Sequence, residues 1–196
     1  MQSQTPPHVA GEYYLSGVME TASGFKLNED STFEFFFSQG ALDRFGKGTY
    51  KITGNTIIFN SHPAPGQDFE LVKSSRQPGN KTTIRIADPN KNILSYVYSR
   101  VKAGKEIKEG FADSHGDAVY EISKPDTVEL MFEFCPEKIA VFPVADKTHN
   151  YFEFRFNPWL FEYFFNNFTL EIADGELHGA HPLMQEKKFV YTKQAG

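Results

Sequence analysis

The sequence predicts an all-β protein: an antiparallel barrel or meander plus a small β-sandwich, with at most one short helix. Three observations carry this. Apolar side chains recur at every second position of short segments, which puts them on one face of a strand. The segments are separated by Gly, Asn, Asp, Ser and Pro, the residues that turns require. The 196-residue chain also carries 20 Phe and 9 Tyr, large rings that suit a half-buried pleated surface.

Residues 11 to about 74 set the rhythm. Tyr13, Leu15 and Gly17 share one face, Phe25 and Leu27 follow, and Phe33, Phe35 and Phe37 align on a third segment. Asn28-Glu29-Asp30-Ser31 and Thr53-Gly54-Asn55 suit tight hairpins, with Gly54 and Asn55 tolerating the positive φ such turns demand. Consecutive strands joined this way form a meander. Gly46 and Gly48 precede Tyr50 on one strand, and glycine inside a strand marks a bend or a close backbone approach. Both favour a sheet that curls.

The stretches 61–67 and 74–80 are rich in Pro, Gly and Ser and bracket a strand from Phe69 to Val72, so a unit boundary is placed near residue 78. Strands follow at Thr82–Ala87 and Ile93–Val101, the latter with Leu94, Tyr96 and Tyr98 on one face; then near Val119–Tyr120, Val128–Phe134 and Ile139–Val144. Beyond about residue 148 the aromatic alternation resumes with Phe152, Phe154 and Phe156, then Phe168, Leu170 and Ile172. Asp174-Gly175 is a hairpin signal, and Phe189 and Tyr191 close the pattern. Asn157-Pro158 before Trp159 reads as an N-cap with Pro at the first helical position, predicting one or two helical turns over Trp159–Phe165. Residues 11–78 and 148–193 are therefore assigned to a discontinuous barrel, and 79–147 to the sandwich.

The opening Gly11-Glu12-Tyr13, leading into an aromatic meander with Gly48-x-Tyr50 before a turn, resembles the lipocalin-like, calycin-type small barrels of bacterial envelope proteins. Tyr13 stands where lipocalins carry the Trp of a Gly-x-Trp motif. Residues 82–144 resemble the carboxypeptidase regulatory-like, transthyretin-type β-sandwich. That likeness is carried by Asp88-Pro89-Asn90-Lys91-Asn92-Ile93-Leu94 and by the Asp113 to Gly116 turn before Val119 and Tyr120. It implies a structural, adhesive or spacer role without catalytic residues.

Composition excludes several classes. A net charge of −5 with scattered lysines gives no footprint for nucleic acid. No apolar run approaches the ~20 residues that span a bilayer. The start lacks a basic region followed by an apolar one, so no secretory signal is expected within it. The compartment stays open between cytoplasm and, if a signal preceded this sequence, periplasm or cell envelope. Cys135 is the only cysteine and reads as a small buried hydrophobe. Asp88, Asn90 and Asn92, like Asp113, His115 and Asp117, alternate as calcium ligands do, but the Gly and Glu of a calcium loop are missing and turn chemistry explains them. His62, His149, His178 and His181 lack zinc-motif spacing. Neither a Gly-x-Ser-x-Gly elbow nor a phosphate loop occurs. No cofactor, metal or catalytic residue is assigned.

The expectation is a non-enzymatic binding or interaction protein of the bacterial envelope. A ligand would be small and apolar and would meet Tyr13, Phe33, Phe35, Tyr50 and Phe154. A protein partner or second copy would use Trp159, Phe161, Phe164 and Phe165, and Phe36 also falls off the alternation. A structural or adhesive subunit, and a barrel enzyme for a lipophilic substrate, are the alternatives.

Overall fold

The computed structural model describes residues 8–40, 42–185 and 188–194. Its strands are, in chain order, β1 (Gly11–Leu15), β2 (Thr21–Leu27), β3 (Thr32–Gln39), β4 (Leu42–Thr53), β5 (Thr56–Asn60), β6 (Phe69–Ser75), β7 (Thr82–Ile86), β8 (Val97–Ala103), β9 (Glu106–Phe111), β10 (Asp117–Tyr120), β11 (Thr127–Phe132), β12 (Ala140–Pro143), β13 (Tyr151–Phe156), β14 (Phe168–Ala173), β15 (Glu176–Gly179) and β16 (Phe189–Lys193). The helical content of the described residues is one 3₁₀ segment, Lys91–Tyr96. The protein is all-β, as its alternation predicts.

The chain forms two units, residues 1–64 with 161–196, and 65–160. In the first, eight strands close a barrel in the order β1-β16-β15-β14-β5-β4-β3-β2, consistent with a calycin-like barrel. Every neighbouring pair is antiparallel, and β1 joins both β2 and β16. Closure leaves no barrel strand with an open edge along its whole length, which is how such sheets avoid unwanted pairing. The hairpins are those the turn residues announce. Gly54 has φ +62°, and Asp174 and Gly175 are both left-handed at 53° and 80°, the two-residue geometry that matches strand twist. Asp30 Oδ1 accepts the Thr32 backbone N–H at 3.0 Å, tightening the β2–β3 turn.

In the second unit β10-β7-β13-β6 form one four-stranded sheet and β12-β11-β8-β9 another. Contacts between them mark a sandwich: Phe132 meets Phe156 at 5.2 Å between ring centroids and Phe142 meets Phe154 at 4.8 Å. The Ser99 and Tyr120 hydroxyls share a buried 2.7 Å hydrogen bond from β8 to β10.

Three sequence expectations are corrected by this pairing. Phe152, Phe154 and Phe156 do not extend the barrel: β13 lies antiparallel to β6 and parallel to β7. Both β6 and β13 therefore belong to the second unit, and the boundary expected near residue 78 falls at the Pro-rich 61–67 stretch. Alternation shows that a strand has a buried face but not which sheet buries it. Residues 93–96 are not strand, because Asn90 caps a 3₁₀ turn by accepting the Asn92 N–H at 3.2 Å; Leu94 is consequently buried while Tyr96 is exposed. Finally, Trp159–Phe165 is not helical. A turn, closed by Leu160 N–H donating to the Asn157 carbonyl at 3.1 Å, leads into an extended run beside β4. Phe45 N–H donates to Phe161 O at 3.3 Å and Tyr163 N–H to Phe45 O at 2.7 Å. The first half of β4 reaches beyond β5, so its backbone groups need partners, and this run supplies them.

Close backbone approaches explain the strand glycines, that of this run at Gly46 and that of β5 at Gly48. A Cβ on Gly46 would come within 2.7 Å of the Phe165 ring and 2.8 Å of the Tyr163 carbonyl, and one on Gly48 would collide with the Asn60 carbonyl.

Candidate functional site

The barrel lumen is the place where a calycin-type protein would hold a ligand, and here it is occupied by the chain's own rings. Phe25 sits at its centre, 1% exposed, with ring centroids of Phe59 at 4.8 Å, Phe35 at 5.0 Å, Tyr191 at 5.2 Å and Phe165 at 5.9 Å. Phe165 in turn lies 5.0 Å from Phe33 and 5.2 Å from Phe35, both edge-on. These are the spacings of favourable aromatic pairs. Leu27, Ile57, Leu170 and Leu177 complete the cluster. Phe165 was expected on an interaction surface; it is 2% exposed because the run beside β4 turns it inward as a plug.

Among the polar side chains buried in this unit are Ser23, His181 and the Tyr191 phenol. His181, from the segment between β15 and β16, is packed among Phe37 at 5.2 Å, Phe189 at 5.7 Å and Phe35 at 6.0 Å. Its Nδ1 accepts the Leu183 backbone N–H at 3.0 Å and its Nε2 lies 3.0 Å from Ser23 Oγ. Ser23 Oγ donates to the Phe36 carbonyl at 2.8 Å. The pattern assigns the tautomer: an imidazole accepting at Nδ1 carries its proton on Nε2 and donates it to Ser23. A histidine held this way cannot take a proton from the serine, so the pair lacks the arrangement of a nucleophile and its base. Burial pushes the His181 pKa down to about 4, keeping the ring neutral at ordinary pH. Tyr191 is fully buried, its hydroxyl has no hydrogen-bond partner among the described residues, and burial pushes its phenol far up.

Of the residues assigned to an apolar ligand, Tyr13, Phe33 and Phe35 are brought together in the barrel core. Tyr13 donates its hydroxyl to Val9 O at 2.8 Å, and Lys193 Nζ lies 5.6 Å over its ring. Tyr50 is half-buried at the rim and donates to Asn28 O at 2.7 Å. Phe154 is in the sandwich. Of the interaction-surface residues, Trp159 is half-buried in the second unit, its indole N–H donating to Gln67 O at 3.1 Å. Phe161 and Phe164 are half-buried in the first. Sequence reasoning placed His181 in a surface loop, whereas it is buried, and missed Ser23 altogether; the two lie far apart along the chain and share no motif.

Outside the lumen, a groove of about 640 Å³ runs along the start of β3, the middle of β4 and the end of β5, lined among others by Thr32, Glu34, Lys47, Gly48, Asn60 and His62. Gly48 lies among its lining residues with Glu34, Lys47 and His62, and the His62 ring is 5.4 Å from Phe164. Its size is that of sites for small molecules. A smaller cleft in the sandwich, about 60 Å³ beside Leu71 and Phe142, is too small for one.

The turns expected to compete with calcium sites use their carboxylates locally. Asp113 Oδ1 accepts the backbone N–H groups of His115 at 2.8 Å and Asp117 at 2.9 Å, and those bonds hold its carboxyl below the usual range. Asp117 is paired with Arg85 at 2.5 Å. Among the described residues no group of three His, Cys, Asp or Glu is placed to hold a metal ion. Cys135 is buried, its thiol donating to Leu160 O at 3.4 Å.

No family model matches this sequence, and no curated protein or solved structure matches it.

Proposed function

We propose that this protein works by binding, without catalysis, and that it binds on its outer surface because its barrel is a packed core. The packing of four rings around Phe25 carries the reading. A lumen filled by its own side chains gives an apolar ligand nowhere to go without expelling Phe165, and displacing a buried aromatic costs about 3 kcal/mol or more. The groove at Gly48 is the small-molecule site in this reading, with Glu34, Lys47 and His62 fixing orientation. The Ser23–His181 pair fits a structural pin. The likeness to lipocalin-like barrels and transthyretin-type sandwiches supports a bacterial envelope setting, where both kinds of module bind or connect.

Titration with a fluorescent fatty acid, followed by NMR of the Phe25 and Tyr191 rings, tests this. The expected result is no change in those ring signals at saturating probe, with any perturbation confined to Thr32, Lys47, Gly48 and Asn60. Shifts of the Phe25 and Tyr191 rings together with a stoichiometric bound mass in native mass spectrometry would overturn it.

A further inference from the structure

The outer wall of the barrel carries a pattern that the sheet register alone reveals. Glu12 pairs with Lys26, Lys26 with Glu34, and Glu34 with Lys47, so one row across β1, β2, β3 and β4 reads Glu, Lys, Glu, Lys. Two residues along each strand, the next outward-facing row reads Tyr14, Gly24, Phe36, Phe45. The four charged residues are exposed, and Tyr14, Phe36 and Phe45 are 39%, 38% and 45% exposed. Tyr14 and Phe36 meet edge-on at 5.7 Å across Gly24, where a Cβ would come within 2.9 Å of the Phe36 ring.

We propose that this wall associates with a second copy of itself. A twofold interface requires a patch complementary to its own reversed image. With the axis along the strands, between β2 and β3, each row meets itself in reverse order. Glu12 then faces Lys47 of the second copy and Lys26 faces Glu34, so all four contacts are between opposite charges. In the same operation Tyr14 faces Phe45. An even-numbered row of alternating sign is self-complementary only in this antiparallel sense, which selects the second copy over a partner of one charge. Four strands about 4.8 Å apart make a narrow, convex wall, short of the ~800 Å² per partner of a standard interface. The dimer is accordingly weak, forms with rising concentration, and loosens with salt as its exposed charges are screened. Glu34 and Lys47 also line the groove, so the wall and the groove share an edge, but self-association requires no ligand in the groove.

Sedimentation equilibrium of the full chain at low salt, from micromolar to millimolar concentration, tests it. The expected result is a monomer–dimer equilibrium weakened at least tenfold by Lys47→Glu, which sets two carboxylates face to face. The double variant Glu12→Lys/Lys47→Glu discriminates. Within one chain it creates two like-charged neighbours, Lys beside Lys26 and Glu beside Glu34, so a purely intrachain role makes it worse than the single variant. Across the twofold it restores every opposite pair, and dimerisation recovers. A monomer at all concentrations, or a double variant no better than Lys47→Glu while circular dichroism shows both folded, overturns the proposal.

Discussion

Acid should loosen the barrel through His181. An unfolded chain returns this imidazole to its ordinary value of 6.5, whereas the folded barrel holds it down to about 4. Because the folded pKa is the lower one, the unfolded state binds the proton more readily throughout this window. The neutral ring's contribution is fully present above pH 6.5 and is lost as pH falls toward 4. Each pH unit inside the window removes about 1.4 kcal/mol, so crossing it removes about 3 kcal/mol. The residue is 4% exposed, so solvent screening scarcely reduces this. Urea unfolding followed through the Leu27, Ile57 and Leu170 methyl signals isolates the barrel from the sandwich. The wild-type midpoint should fall over this pH range, and His181→Phe, less stable at neutral pH because Ser23 and the Leu183 N–H lose a partner, should lack most of that dependence. The remaining histidines are common to both proteins and cancel in the difference. If the variant folds poorly, the wild-type ring still decides: its carbon-bound protons should not titrate near 6.5. Parallel pH profiles for the two proteins, or a His181 titration at the free-imidazole value, would refute the reasoning.

Three further outcomes follow from the packing. Phe25→Ala should destabilise the barrel by about 3–5 kcal/mol and create uptake of an apolar dye that the wild type lacks; a loss under 1 kcal/mol by chemical denaturation would show that the rings do not form a single core. Tyr191→Phe should be neutral or stabilising by about 1 kcal/mol, because it removes a buried hydroxyl that has no partner among the described residues; a large loss in melting temperature would reveal a partner for that oxygen. Gly46→Ala should cost about 1–3 kcal/mol and raise hydrogen exchange at the Tyr163 and Phe45 amides, since a methyl group there pushes away the run that pairs with β4; unchanged exchange would contradict the close approach.

Much of this architecture was already legible in the amino-acid order. Period-two aromatics at Phe33, Phe35 and Phe37, and turn residues at Gly54-Asn55 and Asp174-Gly175, are local signals, because strand pleat and backbone φ depend on a residue and its immediate neighbours. They announce an all-β chain, its hairpins and the curl at Gly46 and Gly48. Only the tertiary structure decided which sheet β6 and β13 join, since hydrogen bonds between strands do not depend on nearness along the chain. It likewise turned Phe165 from an expected surface residue into the lumen plug, and set Ser23 against His181 across 158 positions. The charge row on the outer wall has the same origin: Glu12, Lys26, Glu34 and Lys47 have no regular spacing in sequence, and strand register alone makes them neighbours.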